Sequence, residues 1–378
     1  MITSLTIQNF KCFAHLRLSY GKLTLLTGFN AGGKSTSLQP LLLLAQGLIQ
    51  SSTPLTYSLN GVLVHLGTIA DVLPANTETG SVIFTLAGPS GEITWAFETR
   101  AGDRFFRVLS TGAPYLTDDG PRLTGTDVKS GGSSTVVSSL TDLIYISAVR
   151  EGTADVFPVP DFDNGRHGDV GVDGRYAAYW YDRIVDDEVP ESRLHPSDTA
   201  TSVRKQLDAW MGTLFPGAQA NVQYMSHVSL LSLQFRLSDI GPWHRPANVG
   251  YGLTYVFPVL VALLAAHEDQ LIVIDSPEAH LHPYAQSQMG RLLAHFAAAG
   301  VQILVETHSD HLLNGVRLAV RDGVVTPDEV QLHFFSGPVD GGNGVISPIL
   351  DVEGRINEWP EGFFDQTEKD LSLLAGWD

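Results

Sequence analysis

The stretch Leu23-Thr-Leu-Leu-Thr-Gly28-Phe-Asn30-Ala-Gly32-Gly33-Lys34-Ser35-Thr36 decides how the chain is read. An apolar run enters a glycine-rich turn, and a Leu-rich segment from Ser35 to about Gln50 follows with helical character. Gly28, Gly33, Lys34 and Ser35 satisfy the spacing G-x-x-x-x-G-K-S/T, in which backbone N–H groups cradle phosphates. In that pattern the lysine reaches the β- and γ-phosphates and the hydroxyl holds Mg²⁺. Glycine is required because backbone that wraps an anion approaches it closely and adopts positive φ. The helix that follows turns its unpaired N–H groups and positive dipole end toward the same anion. Asn30, Gly32 and Thr36 complete the set expected to contact ATP and Mg²⁺.

Around this unit, 378 residues allow one large domain or two modest ones. A hydrophobic fraction of 43% with 17% charged residues is that of a globular chain. The net charge of −18 argues against a protein coated by nucleic acid, although it leaves a local basic groove open. No basic run marks such a groove, and Arg204-Lys205 reads as solvated helix surface. The single cysteine, Cys12, cannot close an internal disulfide, so a reducing cytoplasm is expected. Met1 to Phe10 reads as an alternating strand and not as a leader. The apolar run Val256 to Ala266 contains a proline and stops short of the ~20 residues that cross a bilayer.

In chain order, Met1 to Gln8 and His15 to Ser19 read as paired strands ahead of the phosphate-loop strand. Ser81 to Leu86, Glu92 to Glu98 and Arg104 to Leu109 read as an antiparallel sheet, residues 111–136 as a mobile loop, and Leu143 to Ser147 as an apolar strand ending at Arg150. Residues 151–245 read as a helical and β insertion, with helices at Arg175 to Val185 and Thr199 to Gly212 and strands at Ala218 to Tyr224 and Val228 to Phe235. Strands at Leu271 to Ile274, Val301 to Val305 and Val330 to Phe335 alternate with helices at Tyr284 to Ala299 and Asp310 to Val320. Short continuous apolar strands of this kind form parallel sheets covered on both faces. The fold expected is α/β, a P-loop NTPase divided as 1–150, 151–245 and 246–378.

Ligands of such sheets sit beyond the strands' carboxyl ends. Leu-Ile-Val-Ile-Asp275 ends in the carboxylate that orients Mg²⁺ and its waters, or else caps a helix. Glu278 follows three residues on, either to take a proton from the attacking water or as a second cap. His308, past the next strand, is placed to hydrogen-bond the γ-phosphate or to be a satisfied core histidine. His280, His282, His308 and His311 invite a zinc reading, but no cysteine accompanies them and they straddle two strand ends. Asn248-Val-Gly250-Tyr-Gly252-Leu-Thr254 opens a long apolar helix, so two glycines and a hydroxyl stand at a second helix start. One nucleotide needs one cradle from its own subunit, and the spare suggests a γ-phosphate sandwiched between two copies; a plain glycine turn is the alternative. Arg150 is read as a contact to phosphate or base, or as a surface ion pair.

The opening Ile-Gln-Asn-Phe-Lys-Cys-Phe, the loop Gly28 to Thr36, the Gly250/Gly252 turn, Asp-Ser-Pro-Glu-Ala-His-Leu-His-Pro from Asp275 and Glu-Thr-His-Ser at the end of the next strand resemble the ABC-type ATPase heads of the OLD, RecF and SMC group. The closing Trp359-Pro-Glu-Gly-Phe-Phe-Asp365 looks like the tail of a prokaryotic AAA-type branch whose C-terminal domain has no assigned function. The likeness covers the first 50 and last 130 residues well and the middle poorly. It implies an ABC-type head with a mixed or parallel central sheet and a flanking antiparallel sheet. It further implies Walker A at Gly28 to Ser35, Walker B at Asp275, a signature turn acting across the dimer at Asn248 to Thr254, and a switch histidine at His308. Two departures stand out: Ser276 occupies the place of the usual catalytic glutamate, and the signature turn is not Leu-Ser-Gly-Gly-Gln. OLD nucleases continue into a Toprim domain, whereas only about 40 residues follow Phe335 here, too few for one.

The resemblance implies a homodimer or higher even oligomer and a separate effector protein in phage defence or DNA repair. The expected function is ATP hydrolysis that gates this effector or DNA; alternatives are a switch or scaffold with little hydrolysis and a RecF-like repair ATPase. The aromatic tail is read either as a docking site or as a segment tucked into the chain's own core.

Overall fold

A computed structural model describes residues 1–51, 54–74, 80–109, 135–161, 166–337, 344–364 and 366–376, with the backbone of 115–117 and 120–122. Most of 111–136, expected as a mobile loop, lies outside the described residues, as do 162–165 and Asp365. The chain begins with β1 (Ser4–Phe10), β2 (Phe13–Ser19), β3 (Leu23–Gly28), α1 (Lys34–Gln50), β4 (Thr56–Ser58) and α2 (Ile69–Val72). It continues through β5 (Ser81–Gly88), β6 (Gly91–Glu98), β7 (Phe105–Val108), β8 (Tyr115–Thr117), β9 (Gly120–Arg122), α3 (Thr135–Thr141), β10 (Ile144–Ile146), β11 (Val156–Pro158), α4 (Ala177–Ile184), α5 (Val203–Leu214), β12 (Gln219–Met225) and β13 (Leu230–Arg236). The remainder holds α6 (Tyr251–Ala265), β14 (Leu271–Asp275), α7 (Pro283–Ala298), β15 (Gln302–Glu306), α8 (Asp310–Arg321), β16 (Val330–Phe335), β17 (Val345–Ile346) and α9 (Gln366–Ala375). None of the described helices is long and apolar enough to cross a membrane.

The chain divides into two compact units. One joins Ile2–Val137 with Pro327–Asp378. Its antiparallel sheet runs β2-β1-β5-β6-β7-β4. The alternation read from the sequence produces it: Val82, Phe84 and Leu86 of β5 are buried while the residues between them are only half-buried. Phe84 meets Phe10 edge-on at 5.3 Å and Phe97 at 5.7 Å, and Phe97 stacks on Phe106 at 5.0 Å. Fully burying each such ring contributes roughly 1.5–3 kcal/mol, which fixes the pairing register because a one-residue slip would expose them all. In the same unit β3 pairs in parallel with β16, from Leu23 opposite Val330 to Gly28 opposite Phe335, and β17 pairs antiparallel with β16. The tail packs here too. Phe363 is 1% exposed and meets Phe334 edge-on at 5.2 Å, so the core reading of that aromatic holds, while Trp359 beside it stays half exposed.

The other unit comprises Met1 and Ser138–Thr326. β10, β14 and β15 are parallel, with Ile144 opposite Ile272 and Asp275 opposite Glu306. Every residue of β15, and β14 as far as Ile274, is buried, which is why both read as continuous apolar runs. α8 begins where the Ser309 hydroxyl accepts from the Leu312 N–H at 3.0 Å, with Asp310 in its first turn and Arg321 in its last, both complementing the helix dipole. Pro283 opens α7 after the His282 ring, which accepts from the Tyr284 N–H at 3.3 Å. The 151–245 region supplies α4 and α5, which pack on α6, and the antiparallel sheet β11-β13-β12.

Candidate functional site

The residues expected to act fall into two groups, one in each unit. In the first, β3 delivers the chain to Gly28, whose φ is +127° and where a Cβ would lie 2.2 Å from the Phe335 carbonyl oxygen. Gly33 has φ +107° and would place a Cβ 2.5 Å from the Phe13 ring. Only glycine fits these positions, so the loop curls tightly against β16 and the β1–β2 turn. Gly33 caps α1 without a side-chain hydrogen bond and no acid stands in the first turn. The helix thus opens with a positive dipole end that no acid of its own first turn offsets.

Lys34 is buried and its ammonium donates to the carbonyls of Gly28 at 3.0 Å and Phe29 at 2.9 Å. Both of these acceptors belong to the loop that Lys34 closes, so the ammonium is held at the loop itself. Asn30 and Ser35 are exposed and Thr36 is half-buried. The cradle that Cβ atoms would fill, the uncapped helix start and the lysine together fit a triphosphate, with Ser35 as a ligand for Mg²⁺. Phe29 adds a feature the sequence did not flag. Its ring is 48% exposed, meets Phe334 at 5.7 Å, and would lie 2.2 Å from a Cβ at Gly362 of the tail.

In the other unit, Asp275 and Glu306 end adjacent parallel strands side by side. Asp275 Oδ1 accepts from the Ser276 hydroxyl at 2.8 Å, and the Ser276 N–H donates to the Glu306 carbonyl at 2.8 Å. Glu278 is 8% exposed, and burial pushes its carboxyl up; the His308 N–H, the Thr307 hydroxyl and the charge of Arg150 oppose that shift. The side chain of His308 is exposed. Arg150 is not at the surface: it is 4% exposed, and Nη2 donates to the carbonyls of Asp275 and Ser276. Burial pushes its guanidinium down to about 10, while Asp275 and Glu278 pull it back up. Asp275, Glu278, His308 and Arg150 are therefore brought to one strand-end region of this unit.

The Asn248 to Thr254 turn lies in the same unit. Asn248 and Gly250 are exposed, and Gly250 caps α6 with extended backbone. Gly252 is buried where a Cβ would meet the Phe215 ring at 2.9 Å and the His280 carbonyl oxygen at 3.1 Å. Thr254 is buried too, and its hydroxyl donates to the Tyr251 carbonyl at 2.9 Å. His280 packs against Tyr255 at 4.7 Å and Tyr251 at 5.3 Å. Sequence reasoning passed over Glu306, Tyr251 and Tyr255. Glu306 carried a usable signal, since like Asp275 it is an acid closing a continuous apolar strand; the tyrosines carried none.

Residues 180–314 match the family model described as "AAA domain, putative AbiEii toxin, Type IV TA system", and residues 325–374 match "Protein of unknown function (DUF3696)". Among solved structures, an SmcHead bound to the C-winged helix domain of ScpA aligns over 93% of this chain and 98% of its own at 12% identity and a TM-score of 0.51. An Smc head domain with an extended coiled coil, bound to the C-terminal domain of ScpA from Pyrococcus furiosus, aligns over 99% of both chains at 12% identity and a TM-score of 0.50. No curated protein matches the chain. Likenesses at this identity show the fold alone, which is that of these Smc head domains.

Proposed function

We propose that this chain, an ABC/AAA-like ATPase head followed by a DUF3696 tail, binds and hydrolyses ATP and closes around it as a head-to-tail dimer. Closure gates a separate effector protein, a nuclease or another enzyme, in anti-phage defence. The observation that carries the reading is the loop in which Lys34 is bonded to the Gly28 and Phe29 carbonyls at the uncapped start of α1. In this reading the N–H groups from Gly28 to Thr36, with Asn30, Gly32 and Gly33, hold the phosphates, and Lys34 neutralises the β- and γ-oxygens. Ser35 and Asp275 hold Mg²⁺, which when bound supplies positive charge to the phosphate oxygens. Glu278 accepts the proton of the attacking water and His308 donates to the γ-phosphate. Asn248, Gly250, Gly252 and Thr254 are offered to the nucleotide of the second copy. The family description that names a toxin system supports a defence role, and the ScpA domains on the two Smc heads support a protein partner. Phosphate release by the wild type and by Lys34→Ala tests the reading; equal rates would overturn it.

A second reading is favoured by one observation. The position directly after Asp275 holds Ser276, with φ +50° and its hydroxyl turned back to Asp275, and no acid stands there. This supports a nucleotide-gated switch that scarcely turns over. Single-turnover hydrolysis by Glu278→Gln separates the two, because the switch reading expects no change.

A further inference from the structure

The turn that carries the acids is built under strain. Ser276 has φ +50° and His280 φ +63°, two non-glycine residues in the left-handed region within one short segment. Such backbone persists only where its surroundings over-determine it. Five hydrogen bonds hold it. From one side the Ser276 N–H is bonded to the Glu306 carbonyl at 2.8 Å. From within, the N–H groups of Ala279 and Leu281 bond to the carbonyls of Ser276 at 3.1 Å and Glu278 at 3.0 Å. From the third side comes Arg150, whose single Nη2 spans two successive carbonyls, those of Asp275 and Ser276.

Arg150 is itself held from beyond the turn. Its guanidinium lies 5.5 Å over the ring of Tyr255, and its Nε and Nη1 have no hydrogen-bond partner among the described residues. Tyr251 and Tyr255 stand one helical turn apart at the start of α6, so both present rings to the same side, where His280 packs on each. A Cβ at Gly252 between them would stand 3.1 Å from the His280 carbonyl oxygen, so the helix start approaches the acid turn closely. The first turn of α6 and the acid turn are thus packed on one another through Arg150, Tyr255 and His280.

We infer that Arg150 is a positioning residue that clamps the Asp275 to Leu281 turn and, through Tyr255 and His280, ties it to the start of α6. Its functional consequence rests on the proposed ATPase: the turn offered to the second copy's nucleotide and the acids serving a chain's own nucleotide become mechanically linked within one subunit. A phosphate contact by Arg150, the reading its sequence position suggested, predicts different behaviour.

The test uses the full chain with Arg150→Lys, Tyr255→Leu and the double variant. Arg150→Lys keeps the charge but ends one bond short of Nη2 and carries no planar group to lie over Tyr255, so its ammonium falls short of the two carbonyls. In nucleotide-free protein, hydrogen exchange at the Ser276, Ala279 and Leu281 amides is expected to speed up roughly tenfold or more in each single variant. Single-turnover hydrolysis is expected to fall by roughly tenfold to a hundredfold while affinity for a fluorescent ATP analogue stays within about threefold. The double variant should be no slower than the slower single one, because both changes break one linkage. Unchanged exchange at those three amides overturns the inference, as does affinity falling in step with rate. If Arg150→Lys fails to fold, Tyr255→Leu carries the same three readouts. A wild type that binds and hydrolyses no ATP refutes the ATPase reading, and the exchange result still decides the clamp.

Discussion

The main-chain N–H of His308 donates to Glu278 Oε1 at 2.9 Å, fixing a carboxylate from the turn after β14 to the first residues beyond β15. Two strand ends are thereby stitched together by one charge-assisted hydrogen bond, and the acid is held in place although burial disfavours its ionised form.

That conflict gives the first prediction. A carboxyl whose folded pKa is raised stabilises the fold fully below its unfolded pKa and loses that contribution as pH rises through the folded value. Glu278→Gln keeps an oxygen to accept the His308 N–H and removes the charge. Its melting temperature should equal or exceed that of the wild type at pH 7 to 8, with the gap closing as pH falls toward 4. Thermal melts across that range check it; a variant less stable at every pH contradicts it. If Glu278 takes the proton from water, single-turnover hydrolysis should fall by roughly a hundredfold to ten-thousandfold.

Gly28 and Lys34 separate folding from binding in the same loop. Gly28→Ala forces a methyl group to 2.2 Å from the Phe335 carbonyl oxygen at φ +127° and should destabilise by roughly 1–3 kcal/mol or more. Lys34→Ala loses two hydrogen bonds to loop carbonyls, about 1–3 kcal/mol at most, yet should abolish ATP binding. Denaturant melts paired with nucleotide titrations check both. A Gly28→Ala protein of native stability would refute the close approach of β3 and β16.

The tail touches the phosphate loop through Phe29, so tail substitutions should be felt in nucleotide affinity. Phe363→Ala removes a buried ring and should cost roughly 3–5 kcal/mol. Gly362→Ala strains the backbone at φ +82° and pushes on Phe29, the residue beside Gly28, and should weaken ATP binding by more than its loss of stability accounts for. Isothermal titration with an ATP analogue, set beside melts of the same protein, decides; unaltered affinity contradicts the coupling.

What the sequence made legible was whatever local chemistry dictates. The β3 to α1 unit announces itself through glycines that no other residue can replace, and β14 and β15 through apolar runs closing in an acid. The strand and helix bounds read from the chain shift by only a few residues, because fraying and caps blur element ends. Short pieces escaped: β4 and β11 have three residues each, too few to show a period, and α9 lies in a tail whose aromatics drew attention away from its helical spacing. Arg150 was legible as a polar residue after a strand, but its burial under Asp275 and Ser276 depends on α6 arriving from a hundred residues later, which no local pattern encodes.

The most direct measurement is a structure of the protein with a non-hydrolysable ATP analogue and Mg²⁺. The account predicts the triphosphate on the backbone N–H groups of Gly28 to Thr36, with the Lys34 ammonium moved from the Gly28 and Phe29 carbonyls to phosphate oxygens and the metal on Ser35. An analogue bound elsewhere, or a loop still closed by Lys34 at saturating nucleotide, would contradict it.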